Sequence, residues 1–157
     1  MSKIVILTFV LLCAISVAGF VTAKDADAVL GGKPFSPNNT MGTMKDERSQ
    51  AQSHPGYTVH ELVSGTLTLR EYVSPAGVVF GMAWDGLLSP NLRYLLGSYY
   101  GQYKEVTKEM SRVHGKKSML IQASGVVVEK WGHMRSMHGR AYAPALLPAG
   151  VSPREIR

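Results

Sequence analysis

Between Arg70 and Tyr103 the chain reads REYVSPAGVVFGMAWDGLLSPNLRYLLGSYYGQY, and two Ser-Pro pairs divide this largely apolar run into three segments. Proline fixes φ at about −65° and cannot donate a ladder hydrogen bond, so neither Pro75 nor Pro90 suits the interior of a central strand. Pro75 with Gly77 predicts a turn that brings Val73 and Val78 onto adjacent antiparallel strands. Ser89 and Pro90 have the chemistry of an N-cap and a first helical residue. Leu92, Leu95, Leu96, Tyr99 and Tyr103 then recur on one stripe. Such a stripe needs a partner surface, and the strands before it supply one.

The rest of the chain extends that sheet. YTVHELV and TLTLREYV are short β-branched runs separated by Ser64-Gly65, the spacing of a two-residue hairpin. In VVFGMAW, strict alternation sends Val78, Phe80, Met82 and Trp84 to one face, and Val79, Gly81 and Ala83 to the other. Glu71 shares a face with Leu67, Leu69 and Val73, a placement that suits an edge or a partly open face. Gly97 and Gly101 each cost a helix about 1 kcal/mol relative to alanine, which predicts close approach of the helix to the sheet. SMLIQA, GVVVEKW and GRAYAP add later strands. The expected fold is α+β, an antiparallel sheet of five to six strands with one main helix packed on one face.

The N-terminus has a different character. Lys3 precedes an uncharged, largely apolar run from Ile4 to Val21, followed by small residues, which is the order of a secretory signal peptide. Cleavage is expected after Ala23, with Ala28 as the other site that fits the small-x-small rule; an uncleaved anchor is the competing reading. Leu12 before Cys13 argues against a lipidation site. The mature chain of about 130 residues then has no cysteine, so disulfides and thiolate chemistry are excluded and hydrophobic burial must hold one modest core.

Residues 24–56 include GGKPFSPNNTMGTMKDERSQAQSHPG, rich in Gly, Pro, Asn, Ser and Gln, and are expected to be a flexible arm or linker. A compact domain is expected over 57–143, and 144–157 reads as a C-terminal tail with a possible short helix at Ser152-Pro153.

The formal charge is +6, but the basic residues are scattered and Lys116-Lys117 is the one adjacent pair. Nucleic-acid binders concentrate charge on a face or run, so no nucleic-acid partner is expected. An attraction to anionic membrane or cell-wall polymers fits this balance. No cofactor is expected: phosphate-loop, dinucleotide and paired-histidine protease motifs are absent, and GSYYG has the wrong spacing for a nucleophile elbow. Asp85, between Trp84 and Gly86, reads as a turn residue. A small hydrolase built from Asp85, a histidine and Glu71 or Glu129 would require a concave pocket that brings these groups together.

Two clusters remain as candidate sites. Tyr94 and Tyr100 lie off the helix stripe and, with Trp131, form a candidate binding set. His133, Met134, Met137 and His138 crowd together in WGHMRSMHGR, and imidazole with thioether suits copper, above all the reduced ion. On one continuous strand, however, His133 and Met137 point one way while Met134 and His138 point the other, so convergence needs a bend near Gly132 or Gly139.

Four blocks in order, VLGGKPF, REYVSPAGVVFGMAWDG, PNLRYLLGSYY and GHMRSMHGRAYAPALLPAGV, resemble a family of small exported bacterial proteins of unknown function, domain of unknown function 2844. The resemblance runs from about Val29 to the C-terminus, with Met137 where an aromatic is more usual. It implies export and one compact domain, and it brings no catalytic or ligand-binding residues with it. The reading that best joins these observations is a periplasmic or secreted, soluble, non-catalytic binding or envelope-associated module with an envelope component or protein as partner. The alternative is a periplasmic copper-binding protein using the cluster 133–138.

Overall fold

The computed structural model describes residues 29–34, 48–110 and 118–157. The expected signal peptide with its two cleavage sites, Cys13 and the Lys116-Lys117 pair lie outside the described residues.

Seven antiparallel strands form one sheet: β1 (Arg48–His54), β2 (Tyr57–Ser64), β3 (Leu67–Val73), β4 (Val79–Gly86), β5 (Ser118–Gln122), β6 (Val127–His133) and β7 (Ser136–Tyr142). Their order across the sheet is β1-β2-β3-β4-β7-β6-β5. Four strands meander, a helical connection crosses to the far edge, and three more return so that β7 pairs with β4. The helical connection is 18 residues: α1 (Leu92–Leu96), a 3-10 turn (Gly97–Tyr99) and α2 (Tyr100–Glu109).

The expected sheet of five to six strands is therefore corrected to a mostly antiparallel sheet of seven. The additional strand is β1, in the segment read as a flexible arm. Its sequence, RSQAQSH, has no apolar face, and residues 50–54 are exposed. Backbone pairing with β2 from Arg48↔Val63 to His54↔Tyr57 holds it in place, an interaction that leaves no periodicity to read. Pro55-Gly56 is the turn, with Gly56 at φ 87 after a proline, the arrangement of a type II corner. Val29 to Gly32 is also built into the fold. Leu30 is buried, its amide donates to the Leu95 carbonyl, and Gly31 and Gly32 exchange backbone hydrogen bonds with Val79.

Both faces of the sheet are covered. On one, Leu69, Met82, Trp84, Val128 and Ala141 meet Leu95 and Leu96, with Leu92, Tyr99, Tyr100 and Tyr103 packed at the margin. On the other, Val59, Tyr72, Phe80 and Ala83 are covered by Ile156, Leu147 and Val151 of the C-terminal segment. The strict alternation expected in β4 fails, and its first six residues are all buried because the helix covers one face and the C-terminal segment the other. A register shift between Tyr72 and Val73 breaks the alternation. This bulge leaves Phe80 without a ladder partner, so Phe80 joins Ala83 on the tail side while Val79 joins Met82 and Trp84 on the helix side. Each large apolar side chain buried in this way contributes about 1.5–3 kcal/mol of transfer free energy.

Three local features differ from expectation. The helix starts at Leu92 and not at Ser89: Asn91 is the cap, its side-chain oxygen accepting from the Arg93 amide. Gly97 breaks the helix at φ 47 and faces Val29, whereas Gly101 meets open space, so neither glycine serves an approach to the sheet. Glu71 lies on neither an edge nor an open face, and is fully buried on β3 between His60 and Met82.

Candidate functional site

The C-terminal segment and the sheet enclose a concavity. Pro144–Leu146 and Pro153–Glu155 are 3-10 turns. The second has a capping box: the Ser152 oxygen accepts from the Arg154 amide while the Glu155 carboxylate accepts from the Ser152 amide at 2.8 Å. Ser-Pro followed by Glu writes that turn locally. Its position on the sheet is set by longer-range contacts.

Arg140 on β7 is the first of these. Its Nη2 donates to both Glu129 oxygens at 2.9 Å, and its Nη1 donates to the carbonyls of Pro153 and Ile156 at 3.0 and 3.3 Å. A fork that binds carboxylate on one side and tail backbone on the other suits arginine and not lysine. Tyr72 on β3 is the second: its hydroxyl donates to the Arg157 carbonyl at 2.7 Å and accepts from the Arg157 amide at 2.9 Å. Tyr57 on β2 is the third, donating to Glu155 Oε2 at 3.1 Å. Burial and then this hydrogen bond to a carboxylate raise the Tyr57 pKa above its ordinary value.

Between the pinned tail and strands β1 to β3 lies a cleft of about 430 Å³. Its aromatic wall is His54 stacked on Tyr57, ring centroids 5.0 Å apart, with Tyr72 tilted against Tyr57 at 5.9 Å. Arg70 forms the floor between two carboxylates, Nε on Glu61 at 2.8 Å and Nη1 on Asp85 at 2.9 Å. Burial opposes its charge, but the Glu61 and Asp85 partners outweigh that and raise the Arg70 pKa. Arg154 and Arg157 complete the lining, and among the described residues neither side chain takes part in an ion pair. The cleft therefore offers two guanidinium groups beside an aromatic wall.

The candidate residues read from sequence are elsewhere. Tyr94 is 61% exposed at the start of the helix, and Tyr100 is half-buried against the core with its ring 5.9 Å from Tyr103. Trp131 lies on the sheet face away from the helix, stacked on His138 at 6.1 Å. Tyr94 and Tyr100 are thus separated from Trp131 by the sheet. The histidine–methionine cluster does not converge either. Residues 133–138 are a hairpin turning at Met134-Arg135, with Arg135 at φ 65. His133 and His138 share one face, Met137 pairs with Gly132 on the other, and Met134 is exposed at the tip. His133 Nδ1 is 3.1 Å from the Met134 carbonyl and His138 Nε2 is 3.0 Å from Ser136 Oγ. Among the described residues no group of three or more His, Cys, Asp or Glu side chains could hold a metal.

Ser136, His138 and Asp85 do line one hollow of about 390 Å³, and Asp85 pairs with His138 across β4 and β7. The Asp85 carboxylate is held by Arg70 at 2.9 Å, and His138 Nε2 is 3.0 Å from Ser136 Oγ.

Sequence reasoning passed over His54, Tyr57, Tyr72, Arg154 and Arg157. The Pro-Gly corner after His54 marks the hairpin that stacks His54 on Tyr57, and it was legible. Nothing local signals that Arg157 meets Tyr72, 85 positions away.

Compared with known proteins, the chain matches at residues 26–156 a family model described as a protein of unknown function, DUF2844. No curated protein and no solved structure matches it. Among the described residues no helix is long and apolar enough to cross a membrane.

Proposed function

The chain belongs to the DUF2844 family of proteins of unknown function, and on that premise we propose that it is an exported, non-catalytic binding module of the cell envelope. Its ligand surface in this reading is the cleft under the C-terminal segment, and its ligand is a saccharide polymer bearing carboxylate or phosphate groups. The observation that carries the reading is the pair of arginines, Arg154 and Arg157, which among the described residues have no ion-pair partner, beside the stacked His54 and Tyr57 rings. Guanidinium groups pair bidentately with carboxylate and phosphate, and an aromatic wall offers an apolar face to a sugar ring. The net charge of +6 favours encounter with such polymers. Export is supported by the apolar run from Ile4 to Val21 and the small residues after it.

Calorimetric titration of the full chain with oligogalacturonate and with a glycerol-phosphate oligomer tests the reading. Binding of one of them, weakened about tenfold or more when Arg154 and Arg157 are both replaced by alanine, is the expected result. Binding of neither, or binding indifferent to that replacement, would overturn it. Tighter binding of a single-stranded DNA oligonucleotide than of either probe would also overturn it.

A further inference from the structure

We propose that the end of the sheet opposite the cleft is a membrane-docking surface, which places apolar side chains in a bilayer that carries anionic headgroups. The cleft lies toward the end of the sheet where Tyr57 and Val73 are found, whereas β4 leaves the sheet at Gly86, opposite Met137. Beyond that last rung two loops project side by side. One carries Leu87 and Leu88, 42% and 77% exposed; the other is the β6–β7 turn with Met134, 91% exposed. Met119 on the helix face and Trp131 on the opposite face border the same end of the sheet, where they and Ser89, the residue after Leu88, line a hollow of about 240 Å³. Scattered apolar residues on a surface are ordinary, but several large ones gathered at one end mark an interaction surface.

Charge selects the partner. Arg135 sits beside Met134 at the turn and Arg93 is exposed on the first helical turn after Leu88, whereas the Lys130 ammonium is turned to the Tyr103 hydroxyl on the helix face. Among the described residues no carboxylate lines the smaller hollow. In the neighbouring one Asp85 is already bound by Arg70. An apolar projection with a cationic rim matches a lipid bilayer with anionic headgroups, and tryptophan is suited to the depth where headgroup meets acyl chain. The surface is independent of the cleft and involves none of its residues.

The two tryptophans provide the test, because Trp84 is buried in the core and Trp131 lies at the docking surface. The full chain is added to vesicles of phosphatidylcholine and brominated phosphatidylglycerol, and tryptophan quenching is compared with that of the Trp131→Phe variant. This readout reports contact of Trp131 itself and not attachment through the N-terminal apolar run. The expected result is quenching of the Trp131 component, about tenfold weaker on brominated phosphatidylcholine alone and about tenfold weaker in the Leu88→Asp/Met134→Asp variant. Both replaced residues are solvent-exposed, and a thermal melt of the variant checks that it folds. Absence of quenching on anionic vesicles, equal quenching on uncharged ones, or equal quenching in the variant would overturn the proposal. A dimer in sedimentation velocity that the same variant dissociates would overturn it too, since a second copy would then cover the surface.

Discussion

The Tyr72 hydroxyl and the Arg157 backbone exchange two hydrogen bonds, the hydroxyl donating to the carbonyl at 2.7 Å and accepting from the amide at 2.9 Å. One phenol thus uses both of its hydrogen-bonding capacities to fix the C-terminal segment to strand β3, and the cleft exists because that segment is fixed. Replacing Tyr72 by phenylalanine keeps the buried ring and removes both bonds. The expected loss is about 1–3 kcal/mol in urea unfolding, with Arg157 released from the cleft wall. Unchanged stability would mean that Arg140 and Tyr57 suffice to anchor the tail.

Gly97 and Gly101 look alike in the sequence and should respond in opposite directions. Gly97 has φ 47, and an added Cβ would run into the Val29 side chain; Gly101 is helical and faces open space. Gly101→Ala is expected to stabilise by about 0.5–1 kcal/mol, because alanine costs less backbone entropy in a helix. Gly97→Ala is expected to destabilise by about 1–3 kcal/mol through strain and overpacking. Paired thermal melts would check both, and a shift of the same sign in the two variants would contradict this assignment.

Gly139 on β7 has a different constraint. A Cβ there would meet the Trp84 ring and lie 2.7 Å from the Glu129 carbonyl oxygen. Neither neighbour is the end of a flexible chain, so Gly139→Ala should cost about 1–3 kcal/mol or more and perturb the near-ultraviolet dichroism of the buried indole. Retention of both stability and that signal would show that the ring does not lie over this glycine.

Alkaline pH should loosen the tail. The Tyr57 pKa is raised above 10.0 by burial and then by Glu155, and that of Tyr142 by burial and then by the charge of Glu129. The fold holds these protons more tightly than the unfolded chain does. Their contribution to stability is therefore fully present below pH 10 and lost as the pH rises through the raised values. The melting temperature is expected to fall above pH 10 in the wild-type protein and to fall less steeply in Tyr57→Phe. Parallel decline in the two would assign the alkaline loss to other groups.

Patterns confined to a few residues were readable without coordinates. The hairpin between β2 and β3, whose loop is Gly65-Thr66 and so one residue on from the expected Ser64-Gly65, the turn at Ser74 to Gly77, the stripe led by Leu95 and Leu96 and the short turn at Ser152-Pro153 all depend on φ preferences, capping and periodicity, which act between near neighbours. Partners distant in sequence decided the rest. Strand β1 exists because its backbone pairs with β2, and paired amides leave no mark on side-chain chemistry. Phe80 turns to the tail side because of a bulge, one extra residue that reverses the alternation it follows. The histidine–methionine run folds back on itself at Arg135, so neighbours in sequence become residues on opposite faces. Arg154 and Arg157 became cleft residues when Tyr72 and Arg140 caught the tail carbonyls, contacts between side chain and backbone that no local pattern encodes. The sequence by itself determined which segments turn, extend or coil. Tertiary structure decided which faces are covered and which charges are paired, because burial and hydrogen bonding across distant segments are properties of the assembled chain.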